Sequence, residues 1–127
     1  MKAFIAISSQ HKDSFSKELD AIQEALESGG YKVVMPVRDR TADKLERRAI
    51  MERAFSEIDS SDLLVAEVSN ISFGVGIEIG YAKAHGKKVI VLGKKGGEIS
   101  KTASGASDEV ILYDSPDNLR SQLVVKI

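Results

Sequence analysis

Leu63-Leu64-Val65-Ala66-Glu67-Val68-Ser69-Asn70-Ile71-Ser72-Phe73-Gly74-Val75-Gly76-Ile77-Glu78-Ile79-Gly80-Tyr81-Ala82, followed shortly by Lys88-Val89-Ile90-Val91-Leu92, decides how this chain folds. A short apolar run, a helix-length segment from about Phe73 to His85 and a second β-branched run form a strand, a crossover helix and a parallel strand. The same alternation continues outward in both directions. Towards the N-terminus, Ala3 to Ile7 reads as a first strand. Ser14 to Ser28 places Phe15, Leu19, Ile22 and Leu26 at offsets of four, seven and eleven, one face of a helix. Gly29-Gly30 stops that helix, and Tyr31 to Met35 is a second strand ended by Pro36. Thr41 to Ile58 is charged on one side and carries Met51, Ala54, Phe55 and Ile58 on the other, which predicts a second helix.

Beyond Leu92 the periodicity lapses. Gly93 to Ser107 holds four glycines and three lysines among small polar residues, and a mobile loop is expected there. Glu109 to Tyr113 is a short fifth strand, and Ser115-Pro116 opens a last helix with proline in its first turn. The expectation is a single α/β domain over residues 1–127, a three-layer sandwich whose five-stranded parallel flavodoxin/Rossmann-like sheet has helices on both faces. Such sheets bind ligands outside the carboxyl ends of their strands. That rim collects Ser8-Ser9, the segment Ser69 to Gly76 and the loop after Leu92.

Composition narrows the chemistry. With 127 residues, 43% of them hydrophobic, the chain can bury one core. Eighteen basic against 19 acidic side chains give a net charge of -1, which offers no electrostatic reason to expect a nucleic-acid polymer or an anionic membrane as partner. The absence of cysteine removes disulfides, thiolate nucleophiles and sulfur-ligated metals together. His11 and His85 are the only histidines and neither has clustered carboxylates beside it, so neither a metal nor a cofactor is expected. Apolar runs are strand-length, and Met1-Lys2 leads straight into Ala3-Phe4-Ile5, so a cytoplasmic location is expected.

Glu78 is the anomaly of the central stretch. On a helix starting near Phe73 it shares a face with Val75, Ile79 and Ala82, which aims a carboxylate at apolar surroundings. A charge buried there must be partnered, lie near a positive helix terminus, or be protonated with a raised pKa, unless it sits at the edge of the stripe with its head in water. Ser72 stands where an N-cap belongs, leaving amides at the helix start for an anion. Gly74, Gly76 and Gly80 lack side chains where a ligand or the sheet would come close to the backbone. The glycines follow the third strand without G-x-G-x-x-G spacing, and Gly93-Lys94-Lys95-Gly96-Gly97 lacks a G-K-[ST], so neither a dinucleotide fingerprint nor a Walker loop is present. Flavin or phosphorelay chemistry fits poorly, with no tryptophan and Ala66-Glu67 where a phosphorelay aspartate would end strand three.

Ala66-Glu67-Val68 followed by Ser72-Phe73-Gly74-Val75-Gly76-Ile77-Glu78-Ile79-Gly80-Tyr81-Ala82 resembles the core motif of the nucleoside 2-deoxyribosyltransferase superfamily, closest to its 2'-deoxynucleoside 5'-monophosphate N-glycosidase branch. The similarity runs more loosely over the whole chain, including Ile99-Ser100 through Ser104-Gly105-Ala106. It implies cleavage of the N-glycosidic bond of a deoxynucleoside monophosphate or deoxynucleoside, by hydrolysis or by transfer to another base. Glu78 would be the nucleophile that forms a covalent glycosyl-enzyme. The resemblance further implies that Ser8 and Ser72 hold the monophosphate, that Gly74 and Gly76 let the sugar approach the backbone, and that Ser100 reaches the phosphate from the neighbouring subunit of a homodimer.

Three departures accompany the match. The first strand ends in Phe4-Ile5-Ala6-Ile7-Ser8-Ser9-Gln10, without the family's tyrosine or its phosphate-binding arginine, leaving His11 or Lys12 as possible sources of positive charge. The helix-two aspartate that assists leaving-group protonation, thirteen residues before Glu67, falls on Ala54. Losing such a group typically removes roughly 10² to 10⁴ in rate. Asp39, Glu52 and Asp62 are the candidate replacements. The alternative reading is a nucleotide-binding or regulatory module of the same fold without turnover.

Overall fold

The computed structural model describes residues 1–38 and 44–127. Five strands, β1 (Lys2–Ile7), β2 (Lys32–Val34), β3 (Leu63–Glu67), β4 (Lys88–Lys94) and β5 (Glu109–Tyr113), form one sheet in the order β2-β1-β3-β4-β5. Every pairing is parallel, and the register sets Ile7 beside Glu67 and Glu67 beside Leu92 at the carboxyl rim. The helices are α1 (Ser16–Ser28), α2 (Arg47–Asp59), α3 (Phe73–Ala84), α4 (Lys101–Ala106) and α5 (Pro116–Lys126), with a 3₁₀ turn at Pro36–Arg38. Among the described residues, no helix is long and apolar enough to cross a membrane.

The strands are apolar on both faces because both faces are covered. Ala3, Ile5, Ile7, Val65 and Ile90 pack with Leu19, Ile22, Leu26, Leu119 and Leu123 of α1 and α5. Their alternates Phe4, Ala6, Leu64, Ala66 and Val91 pack with Ala54 and Ile58 of α2 and Val75, Ile79 and Ala82 of α3. The result is the expected three-layer sandwich. The chain leaves β1 towards β2 and returns to place β3 on the other side, so a switch point opens between the carboxyl ends of β1 and β3.

Two expectations are corrected. Helix α2 begins at Arg47, with Glu46 in an extended conformation ahead of it, and not at Thr41, which lies outside the described residues. The apolar spacing that suggested the helix belongs to its last three turns alone. The stretch expected to be a loop from Gly93 to Ser107 contains α4, capped by Ser100, whose Oγ accepts from the Ala103 amide at 3.1 Å. Tertiary contact holds this helix: Ile99, Ala103 and Ala106 rest on the α2–α3 core. Gly93 makes room for it, since a Cβ there would lie 2.6 Å from Ile99 Cγ2. Six residues with two small polar side chains, two alanines and a glycine carry no helical periodicity, so local sequence could not show it.

Candidate active site

Helix α3 begins as its sequence predicts. Ser72 is extended, and its Oγ accepts from the Val75 amide at 3.3 Å. The loop ahead of it is fixed from below by Glu67, the last residue of β3, which is only 2% exposed. Glu67 Oε1 accepts from the Ser69 amide at 2.6 Å, and Tyr113 Oη donates to Oε2 at 2.5 Å. Ser69 Oγ in turn accepts from the Lys94 amide at 3.0 Å. Burial raises the pKa of Glu67, and the hydrogen bonds from Tyr113 and Ser69 oppose the rise. The carboxylate thus ties three strand ends together and sets the path of Ser69 to Ser72.

Two cavities flank α3. The first, about 320 Å³, lies between α3 and α4 and is lined by Ser69, Asn70, Ser72 and Gly76 on one side and by Ile99, Ser100 and Ala103 on the other. The second, about 310 Å³, lies between α3, α2 and the end of β2, and Glu78 opens into it. Its walls are apolar, from Val33, Met35 and Pro36 on one side and Ile50 and Met51 on the other. Desolvation by these walls pushes the Glu78 pKa up to about 7. Of the options set by the sequence, the raised pKa is the one realised, and the side chain is half-buried. A carboxyl shifted this far keeps its ionised form accessible near neutral pH.

The structure therefore brings Ser72, Gly76 and Ser100 to one cavity and puts Glu78 in the other, on opposite flanks of the same helix. Gly74 is exposed beside the Ser72 hydroxyl. A Cβ on Gly76 or Gly80 would meet nothing within 4 Å, so these glycines are not required by packing on the sheet. Ser8 is buried at the end of β1, outside the lining of both cavities, with its Oγ 3.2 Å from His11 Nδ1. His11 is thus half-buried and partnered.

Ala54 lines the cavity into which Glu78 opens. Of the candidate replacements for an acid, Asp39 lies outside the described residues. Glu52 is exposed and does not line that cavity. Asp62 accepts from the Lys2 amide at 3.0 Å, at the amino end of the sheet and away from the rim. Sequence reasoning passed over Arg53 and Glu57, which both line this cavity. Glu57 follows Ala54 by three residues on α2, a helical spacing that could have found it. Among the described residues there is no group of three or more His, Asp or Glu side chains placed to hold a metal.

A sequence profile of the nucleoside 2-deoxyribosyltransferase family matches residues 4–116. The chain belongs to that family. Over 96 residues, 72% of this chain and 67% of the relative, it is 36% identical to a protein of Thermofilum pendens provisionally named 2'-deoxynucleoside 5'-phosphate N-hydrolase 1. Over 71 residues, 54% of this chain and 50% of the relative, it is 38% identical to the 5-hydroxymethyl-dUMP N-hydrolase of Danio rerio. Its fold is shared with the CMP N-glycosidase of Clostridium botulinum, with TM-score 0.74 at 22% identity over 98% of this chain and 99% of that one. The 2-deoxyribosyltransferase of Bacillus psychrosaccharolyticus gives TM-score 0.73 at 16% identity over 97% and 96%. As a member of the deoxyribosyltransferase family, the chain is an enzyme of the type that cleaves or transfers at a glycosidic bond. Within that family pattern, Ala54 is a departure that the geometry makes specific, because the residue faces the cavity of Glu78.

Proposed function

We propose that this enzyme cleaves the N-glycosidic bond of a deoxynucleoside 5'-monophosphate or deoxynucleoside through a covalent intermediate on Glu78. The observation that carries the reading is the half-buried Glu78 carboxyl, raised to a pKa of about 7, opening into an apolar cavity of about 310 Å³. In the first step a Glu78 oxygen bonds to the anomeric carbon as the carbon–nitrogen bond breaks, its electron pair leaving with the base. In the second, water attacks the same carbon, the ester bond to Glu78 breaks, and the carboxylate is restored with one proton delivered to the base. Transfer to another base differs only in the second nucleophile. Ser72, Gly74 and Gly76 would receive the sugar and phosphate at the start of α3, with Ser8 and, from the neighbouring subunit of a homodimer, Ser100 completing the phosphate site.

A homodimer accompanies this reading. Phe73, Gly76, Ile77, Gly80 and Ala84 form one uncharged stripe on the outer face of α3, with Phe73 90% exposed and the neighbouring Ile71 97% exposed. Such a face is suited to a second copy, which would bring another subunit's loop near the Glu78 helix. A second reading, nucleotide binding without turnover, is favoured by Ala54 alone.

Incubation with a panel of deoxynucleosides and their monophosphates, with free base read by chromatography, tests the proposal. Base release that disappears in Glu78→Gln is expected. Undiminished release in that variant would remove Glu78 from the nucleophile's role. Ligand-induced thermal stabilisation without release from any substrate would support the binding module instead. Light scattering on Ile77→Asp is expected to show monomer where the parent chain is a dimer.

A further inference from the structure

Breaking a carbon–nitrogen bond at the anomeric carbon leaves an electron pair on the base, and that pair must be met either by a proton or by a fixed positive charge. The cavity before Glu78 shows which is available. Its walls are largely aliphatic and thioether side chains, and Ala54, at the position where the family resemblance implies an acid, has no proton to give. Two further charged side chains line it, both from α2: Arg53 and Glu57. Glu57 Oε2 accepts from Lys2 Nζ at 2.5 Å, so in that ion pair it is an acceptor directed at the amino end of β1. Arg53 carries a planar fork of donors, and a guanidinium is a lasting cation that does not act as a proton donor.

Resting on the reading that Glu78 opens the glycosidic bond, we propose that Arg53 is a catalytic residue that receives the departing base as an anion. The carbon–nitrogen pair collapses onto the base, the anion in the cavity is met by the Arg53 guanidinium that lines it, and the proton arrives afterwards from water. Arg53 is solvent-exposed, and the apolar walls of the cavity it lines shield the base's side of the contact from water. Specificity follows from the same arrangement. Bases that bear a stable negative charge, the uracil-type pyrimidines with an acidic ring N–H, leave readily. Adenine, guanine and cytosine, which depart more easily when protonated, leave slowly.

The test uses the 2'-deoxynucleoside monophosphates of 5-fluorouracil, uracil and thymine, which differ little in size and fall in that order of N–H acidity. Base release should follow the order of acidity steeply. Arg53→Gln should lower release about 10²-fold, the scale of losing one charge-stabilising donor, with the largest loss for thymine. Arg53→Lys should recover part of it, while Glu57→Gln stays within a few fold of the parent. Melting curves on each variant show whether the fold persists. Equal rates across the three bases, an Arg53→Gln variant as active as the parent, or loss of release on Glu57→Gln would overturn the role of Arg53 and leave the Glu78 reading standing. No base release from any of the three, or from the wider panel, would remove the Glu78 reading and this inference together.

Discussion

Two glutamates close in sequence have opposite surroundings in this molecule. Glu67, at the end of β3, is the more deeply buried, yet its oxygens are met by the Ser69 amide and the Tyr113 hydroxyl. Glu78, on the second turn of α3, is less buried, but burial is the cause of its shift and nothing offsets it. A buried carboxylate with donors on both oxygens is a fastener. One that meets apolar walls beside an open cavity keeps its lone pairs for a ligand. Residue type does not distinguish the two, and the deeper one is the less free; what sets their roles is the partners.

The largest effect that would sharpen this contrast is on catalysis. Glu78→Gln should lower base release by about 10⁴-fold or more, because the attacking oxygen is gone, whereas Glu67→Gln should reduce it far less. Equal losses in the two variants would erase the distinction.

Stability gives the next largest effect, with a defined sign. Glu78 has its pKa raised on folding, from an ordinary 4.5 to about 7. Between those values the folded chain holds a proton that the unfolded chain has released. The contribution of Glu78 is therefore present at pH 4 and lost as pH rises to about 7 and beyond. By about 1.4 kcal/mol per unit, Glu78→Gln should be more stable than the parent at pH 8 by on the order of 3 kcal/mol, and about equal to it at pH 4. Denaturant melts at the two pH values measure this. Catalysis moves the other way, since the ionised form attacks, so kcat/KM should rise with pH through about 7. A flat profile across that range would mean that Glu78 is not the titrating group.

Tyr113→Phe should destabilise the chain by about 1 to 3 kcal/mol, because it strips a donor from a buried carboxylate. Release of the Ser69 to Ser72 loop would also raise KM more than it lowers kcat. Smallest is Ser72→Ala, which removes the N-cap of α3 at about 1 kcal/mol by thermal or denaturant melt. A loss for Ser72→Ala exceeding that for Tyr113→Phe would invert the proposed order of supports under the loop.

Much of this was legible along the chain. The five strands follow from short apolar, β-branched runs and the helices between them from a period near 3.6 residues, and Ser72, Ser115 and Gly29-Gly30 punctuate helices where their side chains or lack of them predict. Glu78 stood out because one turn either side of it is apolar. What did not show is what depends on distant residues. The Glu67–Tyr113 bond spans 46 positions, α4 exists by resting on the other helices' core, and Arg53 and Glu57 gain meaning only once α2 and α3 frame one cavity. Even a strong motif left Ser72 and Glu78 undivided, although α3 directs them to opposite flanks.

By itself, then, the sequence determined the kinds of elements, their order and the motif that α3 carries, since those are set by side chains within a helical turn or a strand repeat of one another. Tertiary structure alone decided which carboxylate is fastened and which is left before an open space. The free energy of a charge depends on the dielectric and the donors around it, and these are assembled from strands and helices far apart along the chain.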